Sequence, residues 1–196
     1  MAEIKVAHSE LILGGQKSGK TARAELLAAA WLARSPQNRA VYIATAQAWD
    51  DEMRERITRH QRDRAERVPR MSTVEEPREL ACAIGLHGGA DTLIVVDCLT
   101  LWLTGLLLPA AAELKEKEAA AVTEITLTAI ISGAVSACAG PLVLISNEIG
   151  LGIIPMGREV RAFVDALGSL NQQAAAACER VTLMSAGLPL TLKGSA

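Results

Sequence analysis

One glycine-rich segment, Gly14-Gly-Gln-Lys-Ser-Gly-Lys-Thr21, limits the possible folds of this 196-residue chain more than any other stretch. It fits G-x-x-x-x-G-K-[ST], a pattern in which Gly14 and Gly19 allow a tight turn with no Cβ in the way of a phosphate. An apolar run at 11–13 precedes the segment, and residues 20–34, which are dense in helix formers, follow it. We therefore predict a strand, a phosphate-binding loop and a helix in that order.

Three side chains are candidates for chemistry at this loop. Lys20 can reach the β- and γ-phosphates of a nucleotide, and the Thr21 hydroxyl can ligate Mg²⁺. Asp97 ends an apolar strand further along the chain, where an acidic residue can hold the same Mg²⁺ through water. Aspartate is also a favoured helix N-cap, so Asp97 could cap the segment that follows it. The two roles of Asp97 are compatible, and both stay open.

Apolar strand segments alternate with helical segments along the chain. Strands are predicted at 11–13, 40–45, 92–97, 141–146, 180–185 and 188–193, and helices at 20–34, 50–67, 73–86, 99–108, 110–139, 158–166 and 169–179. Two of these helix starts rest on capping boxes, Thr73 with Glu76 and Ser169 with Gln172, and a third on Asp50 as N-cap. This alternation predicts an α/β fold with a mostly parallel sheet flanked by helices.

Ligands of such sheets bind beyond the carboxyl ends of the strands. That rule selects the phosphate-binding loop, the segment from Thr45 onward, Asp97, and Asn147-Glu148.

Composition excludes several classes of protein. The net charge of −2 gives no sign of a nucleic-acid partner, and no apolar stretch is long and uncharged enough to span a bilayer. The four cysteines are widely spaced and lack a C-x-x-C pair, which argues against a metal cluster or a disulfide framework. Residues 1–10 mix charges and lack a signal-like apolar core. We expect one cytoplasmic domain spanning 1–196, with residues 1–10 as a short N-terminal extension.

His60 lies in the polar helix predicted at 50–67 and admits two interpretations. Helical spacing puts Met53, Ile57 and His60 on one face, which favours a histidine packed against the fold. Imidazole is, however, also a nucleophile at neutral pH, and the surrounding arginines could hold a phosphate against it. Helical geometry by itself therefore favours the packed histidine, and the nucleophile stays open as the second interpretation.

Several motifs occur in one order along the chain and together resemble a known family. They are Gly14 to Thr21, Tyr42-Ile-Ala-Thr-Ala46, Asp50-Asp-Glu-Met53 with Arg56-Ile57 and His60, Asp97-Cys-Leu-Thr-Leu-Trp-Leu-Thr104, Ser146-Asn-Glu-Ile-Gly-Leu-Gly-Ile-Ile-Pro155, Asn171-Gln172 and Ala186-Gly-Leu-Pro-Leu190. This set is similar to the bifunctional adenosylcobinamide kinase/adenosylcobinamide-phosphate guanylyltransferase of cobalamin synthesis, over nearly the whole chain after residue 10.

The resemblance implies a P-loop, recombinase-like fold, a homotrimer and two reactions. In the first, the enzyme phosphorylates the aminopropanol hydroxyl of adenosylcobinamide with ATP or GTP. In the second, it transfers GMP from GTP, through a guanylylated histidine, to adenosylcobinamide phosphate, giving adenosylcobinamide-GDP and pyrophosphate. The resemblance makes His60 the guanylylated residue and so favours the nucleophile over the packed histidine.

The resemblance also assigns site residues. It makes His60 and Lys20 catalytic, Thr21 and Asp97 the Mg²⁺-holding pair, and seventeen positions nucleotide-binding: Gly14, Gly15, Gln16, Lys17, Ser18, Gly19, Lys20, Thr21, Ala44, Thr45, Ala46, Gln61, Arg62, Asp63, Arg64, Glu75 and Asp97. Three positions depart from the family pattern, and one of them is Asp97, which stands where some members have glutamate. Lys17 and Val164 each stand where arginine is usual, which removes a planar guanidinium from the loop and an ionic contact from the substrate cleft.

Two other functions remain compatible with the phosphate loop. One is a plain small-molecule kinase in which His60 is structural. The other is an ATP- or GTP-dependent switch that acts through a partner, although Ser146-Asn-Glu-Ile149 lacks the lysine and aspartate of the N-K-x-D tetrapeptide that reads guanine in switch GTPases.

Overall fold

The computed structural model describes residues 4–47, 51–107 and 124–195 and contains one seven-stranded sheet in that part of the chain. Along the sheet the strand order is β3-β2-β4-β5-β1-β6-β7. All neighbouring strands pair in parallel except β6 with β7, which are antiparallel. The strands are β1 Ser9–Gly14, β2 Arg39–Ala44, β3 Met71–Glu75, β4 Thr92–Asp97, β5 Leu142–Ile145, β6 Arg180–Ser185 and β7 Leu188–Lys193.

Six helices in the described residues flank this sheet: α1 Lys20–Arg34, α2 Asp51–Arg67, α3 Leu80–His87, α4 Leu99–Leu107, α5 Glu124–Ala137 and α6 Arg158–Ala177. The predicted α/β class with a mostly parallel sheet is confirmed. The predicted helix cap at Asp50, the Met53 side chain and the first part of the helix predicted at 110–139 lie outside the described residues. Within the described part of the chain, none of the helices has the length and hydropathy needed to cross a membrane.

Apolar side chains are buried on both faces of the sheet, which explains why the central strands have no polar alternation. In β4, Ile94 and Val96 pack into the core beneath the helices α3 to α6, whereas Leu93 and Val95 pack with α1 on the opposite face. All four side chains are fully buried. The sheet is thus enclosed between two layers of helices, and its carboxyl edge carries the loops.

The segment after Thr73 was predicted to open a helix and instead forms strand β3. The burial of this edge strand explains the error: Met71 is its one buried side chain, so the sequence lacks the apolar pattern of a strand. The Thr73 hydroxyl accepts a hydrogen bond from Arg64 Nη1 and does not cap a helix. Helix α3 begins only at Leu80, after the Glu76 carboxylate accepts hydrogen bonds from the amides of Arg78 and Glu79.

The two helices predicted at 158–166 and 169–179 form one continuous helix, α6. Leu167, Leu170 and Ala174 are buried at helical spacing across the predicted break, so packing maintains the helix through Gly168 and Ser169. At the start of the chain, β1 begins at Ser9 and not at Leu11, because Ser9 and Glu10 are buried and hydrogen-bonded. The predicted ten-residue extension is correspondingly shorter.

Candidate active site

The phosphate-binding loop follows β1 at the carboxyl edge of the sheet, as predicted. Gly14 has φ of +150°, and a Cβ there would lie 2.5 Å from both the Met184 carbonyl oxygen and Ser18 Oγ. Gly19, at φ of +102°, stands at the N-cap of α1. These positions require glycine because a side chain would collide at the first and be strained at both. Gly15, Gln16 and Lys17 are exposed at the apex of the loop, whereas Ser18 is buried.

Lys20 is directed into this loop from the first turn of α1. Its ammonium donates hydrogen bonds to the carbonyl oxygens of Gly14, at 2.9 Å, and Gly15, at 2.7 Å. Burial lowers the pKa of Lys20, and the negative charge of Asp97 partly opposes that shift. A phosphate in the loop would supply a second anion to this partly desolvated ammonium, which is the electrostatic condition for strong binding.

Asp97 and Thr21 meet beside the loop, as the prediction of a shared Mg²⁺ site requires. The Thr21 hydroxyl donates to Asp97 Oδ2 at 2.9 Å. Magnesium prefers oxygen ligands, and a hydroxyl with a carboxylate next to a phosphate loop is a donor set of that kind. The residues present therefore fit Mg²⁺ at this position.

Tyr42 is a member of this cluster that reasoning from the sequence missed. Its hydroxyl donates to Asp97 Oδ2 at 2.5 Å. Burial, followed by the adjacent Asp97 charge, raises the pKa of Tyr42 well above its ordinary value, so the phenol stays a donor. Tyr42 is the only tyrosine in the chain and lies in one of the family motifs, but that motif was carried over only for Ala44 to Ala46.

Thr45 has a supporting position in the structure. Its hydroxyl is fully buried, donates to the carbonyl oxygen of Cys98 at 2.7 Å and accepts from the Cys98 amide at 2.8 Å. It therefore holds the backbone directly after Asp97 in place. Its predicted nucleotide contact stays a prediction.

A cleft of about 340 Å³ lies at the carboxyl ends of β2 and β3. Three of the predicted nucleotide-binding residues line it, namely Ala46, Gln61 and Glu75, together with Arg54, Ile57 and Thr58 of α2. Gln61 Nε2 donates to Glu75 Oε1 at 2.9 Å, so a residue of α2 and one of β3 meet across the cleft. The cleft combines an apolar side, a cation and amide and carboxylate groups, a mixture suited to a nucleotide.

His60 is exposed on α2, within one helical turn of the cleft-lining Ile57 and next to Gln61. Its exposure contradicts the interpretation of a histidine packed against the fold. An accessible imidazole beside a cleft can reach a ligand, which a buried imidazole could not do.

Of the residues that follow His60 in α2, some have side chains in solvent and others contact the rest of the protein. Arg62 is exposed, whereas Arg64 is buried with its guanidinium 3.3 Å from the centre of the Tyr42 ring. Asp63 pairs with Arg67 at 3.4 Å, and Arg67 pairs with Glu25 of α1 at 2.7 Å. The direct nucleotide contacts predicted for Arg62, Asp63 and Arg64 stay predictions, and in the structure Arg64 attaches α2 to the sheet.

The comparison with known families identifies the family of this chain. Residues 10–192 match the family described as "Cobinamide kinase / cobinamide phosphate guanyltransferase". The chain belongs to this family. The resemblance inferred from the motifs is thus confirmed, and so is membership of a family of enzymes with kinase and nucleotidyltransferase activities in cobalamin biosynthesis.

Named relatives agree with the family. The "Bifunctional adenosylcobalamin biosynthesis protein CobP" of Pseudomonas aeruginosa is 45% identical over 94% of this chain and 97% of its own length. The "Bifunctional adenosylcobalamin biosynthesis protein CobU" of Escherichia coli is 33% identical over 93% of this chain and 98% of its own.

Solved structures support the fold alone. The flagellar accessory protein FlaH of Methanocaldococcus jannaschii superposes with a TM-score of 0.53 at 12% identity, covering 97% of this chain and 80% of its own. A Pyrococcus horikoshii OT3 protein gives 0.52 at 12% identity, covering 99% of this chain and 90% of its own. The similarity to such distant proteins is one of sheet order and helix layers.

Proposed function

We propose that the chain carries out both reactions of its family and that the second proceeds through a guanylylated His60. It phosphorylates adenosylcobinamide with ATP or GTP and then joins GMP from GTP to the new phosphate. The observation that carries the proposal is the position of His60, exposed and adjacent to a cleft that Ala46, Gln61 and Glu75 line. The meeting of Lys20, Thr21 and Asp97 at the phosphate loop supports the kinase half.

In the kinase step, the loop amides and the Lys20 ammonium bind the β- and γ-phosphates of the donor nucleotide. The substrate hydroxyl oxygen attacks the γ-phosphorus and releases its proton to solvent, and the bond from that phosphorus to the β-γ bridging oxygen breaks. Lys20 stabilises the negative charge that develops on the leaving diphosphate. Thr21 and Asp97 would hold Mg²⁺, which when bound neutralises phosphate charge.

In the guanylyl transfer, a neutral imidazole nitrogen of His60 attacks the α-phosphorus of GTP and pyrophosphate leaves. An oxygen of adenosylcobinamide phosphate then attacks the same phosphorus and the P–N bond breaks, which yields adenosylcobinamide-GDP and frees the imidazole. Cations of α2 are available to balance the phosphate charge: Arg59 and Arg62 are exposed within two residues of His60, and Arg54 lines the cleft.

The resemblance extends the proposal to the setting of the enzyme. We expect a cytoplasmic homotrimer that uses Mg²⁺, takes its two corrinoids as substrates and binds no nucleic acid. Sedimentation velocity would test the trimer, and a kinase assay with the metal chelated would test the Mg²⁺.

Incubation with [α-³²P]GTP tests the function as a whole. We expect label on the wild-type protein and on His8→Ala, a control at another exposed histidine, and none on His60→Ala. The label should be labile to acid and stable to alkali because a phosphoramidate, unlike a serine or threonine phosphoester, hydrolyses readily in acid. Phosphorylation of adenosylcobinamide should largely survive in His60→Ala.

Other results would favour the alternatives. An unlabelled wild-type protein that still phosphorylates adenosylcobinamide would be a plain kinase. Nucleotide hydrolysis with no transfer to a corrinoid would indicate a switch. Label retained by a folded His60→Ala would place the nucleophile elsewhere.

A further inference from the structure

The loop between β5 and α6 exposes an unusual number of large apolar side chains. Leu151 is 80% exposed, Ile153 97%, Ile154 78% and Met156 97%. We refer to residues 149–156 as the apolar loop. Single exposed apolar residues are ordinary on protein surfaces, but several within one loop generally mark a surface that binds something.

The apolar loop is directly joined to the phosphate-binding loop. In the sheet, β5 lies next to β1, so the segments that follow these two strands are neighbours at the carboxyl edge. The amide of Glu148, the residue before the apolar loop, donates at 3.2 Å to the carbonyl oxygen of Gly14, the first residue of the phosphate-binding loop. A ligand on the apolar loop would therefore adjoin the transferable phosphate.

Both ends of the apolar loop are attached to the fold. Before it, the Asn147 amide donates to Thr100 Oγ1 at 2.9 Å, and Asn171 Nδ2 donates to the Asn147 carbonyl oxygen at 3.0 Å. After it, Arg161 Nη1 donates to the carbonyl oxygens of Pro155, at 2.9 Å, and Met156. The exposed side chains thus lie on a loop whose position relative to the phosphate site is defined at its two ends.

Two cavities in the described part of the chain, the cleft beside α2 and a cavity at the amino edge of the sheet, offer no comparable apolar surface. The 340 Å³ cleft beside α2 is lined partly by Arg54, Gln61 and Glu75, which suits a nucleotide. A cavity of about 400 Å³ at the amino edge of the sheet includes Arg39 and Arg70 and is separated from the phosphate loop by the length of the strands. Neither cavity combines an apolar surface with a position next to the phosphate-binding loop, as the apolar loop does, and the hydrocarbon parts of a corrin ring would be buried on such a surface.

We infer that the apolar loop is the docking surface for the corrin macrocycle of the acceptor substrate. The inference rests on the proposed function, since it presumes that a corrinoid is the acceptor. The macrocycle covers Leu151, Ile153 and Ile154 while its aminopropanol arm extends toward the phosphate-binding loop. The same surface serves both reactions, because their acceptors share the macrocycle and differ only by one phosphate.

The test is the double substitution Leu151→Ser/Ile153→Ser. Both side chains are exposed in the free chain, so the changes remove apolar area from the docking surface without opening the core. Leu86→Ser is the matched control: Leu86 is 76% exposed but lies at the end of α3, beside the amino-edge cavity. Equilibrium dialysis with cobinamide, followed by corrin absorbance, measures the binding, and dialysis with ATP measures the nucleotide site.

We expect the Kd for cobinamide to rise about tenfold or more in the double variant, from the loss of buried apolar area, and to stay unchanged in Leu86→Ser. The Kd for ATP and the sedimentation coefficient should match those of the wild-type protein. An unchanged Kd for cobinamide would overturn the inference. So would a changed sedimentation coefficient, because the apolar loop would then be a contact between subunits. A wild-type protein that neither binds nor phosphorylates cobinamide would show that the proposed function itself is wrong.

Discussion

At the scale of single residues, the site depends on a few groups that share one carboxylate. Asp97 accepts hydrogen bonds from Thr21 and from Tyr42, so the hydroxyl that we propose as a Mg²⁺ ligand and a buried phenol converge on the same oxygen. Lys20 approaches from the other side and contributes the positive charge. Each of these residues has a defined partner, so substitutions should separate their contributions.

Lys20→Ala should reduce the kinase turnover by about two to three orders of magnitude, because a preorganised charge at the phosphoryl transition state is lost. The kcat for phosphorylation of adenosylcobinamide measures this effect, and circular dichroism checks the fold. Lys5→Ala, which alters an exposed lysine before β1, is the control. A wild-type kinase rate in Lys20→Ala would show that residues 14–21 do not bind the transferred phosphate.

Asp97→Asn should raise the Mg²⁺ concentration that half-saturates the kinase by about tenfold or more, as replacement of groups that orient metal ligands usually does. Asparagine caps helices as well as aspartate does, so a pure capping role predicts no change. A Mg²⁺ titration of the kinase rate distinguishes the two roles. Identical titrations for the wild-type protein and the variant would favour the cap.

At the scale of elements, helix α2 is attached to the rest of the molecule at its carboxyl-terminal half. Arg64 stacks on Tyr42 of β2 and donates to Thr73 of β3, while Arg67 pairs with Glu25 of α1. The part of the helix up to His60 is less enclosed: its described side chains are exposed except Ile57, which is half-buried. This arrangement keeps the imidazole accessible while its helix stays aligned with the cleft.

Arg64→Gln should lower the free energy of unfolding by about 1–3 kcal/mol, because a desolvated cation–π contact and a hydrogen bond to Thr73 are both lost. Guanylylation of His60 should fall more than the kinase rate, since α2 loses its attachment to the sheet. Urea denaturation and the two activity assays provide the measurements. Arg62→Gln, at an exposed neighbour, should leave the free energy of unfolding unchanged, and equal stability of the two variants would contradict this account of α2.

At the scale of the whole molecule, the sheet is enclosed on both faces and three of the four cysteines lie in that interior. Cys98, Cys138 and Cys178 are buried, whereas Cys82 on α3 is exposed. Burial raises the pKa of Cys98 and of Cys178 to about 12, and it raises the pKa of Cys138 as well. At pH 8 these three thiols are therefore protonated as well as inaccessible, and thiolate is the reactive form.

Titration with a chromogenic disulfide reagent at pH 8 should detect one thiol in the native protein and four after denaturation. Cys82→Ser should abolish the native signal and leave three thiols after denaturation. Rapid reaction of a second thiol without denaturant would mean that the interior opens more readily than this packing implies.

Much of the fold could be predicted because its signals are local. The order of strand, glycine loop and helix at 11–34 follows from propensity and from backbone freedom at Gly14 and Gly19. The buried strand β4 is recognisable from its unbroken apolar run. Lys20, Thr21 and Asp97 could be assigned to one site because carboxyl ends of parallel strands share an edge.

Other features were decided only by tertiary contacts. Strand β3 exists because β2 offers it hydrogen-bonding partners, although its own side chains are mostly exposed. Helix α6 continues past Ser169 because its buried stripe packs on the sheet, and this packing outweighs a local capping signal. The exposure of His60, the burial of Arg64 and the bond from Tyr42 to Asp97 depend on how β2, β4 and α2 are placed together. Local chemistry thus determined the loop that binds phosphate, whereas long-range packing decided which side chains face it.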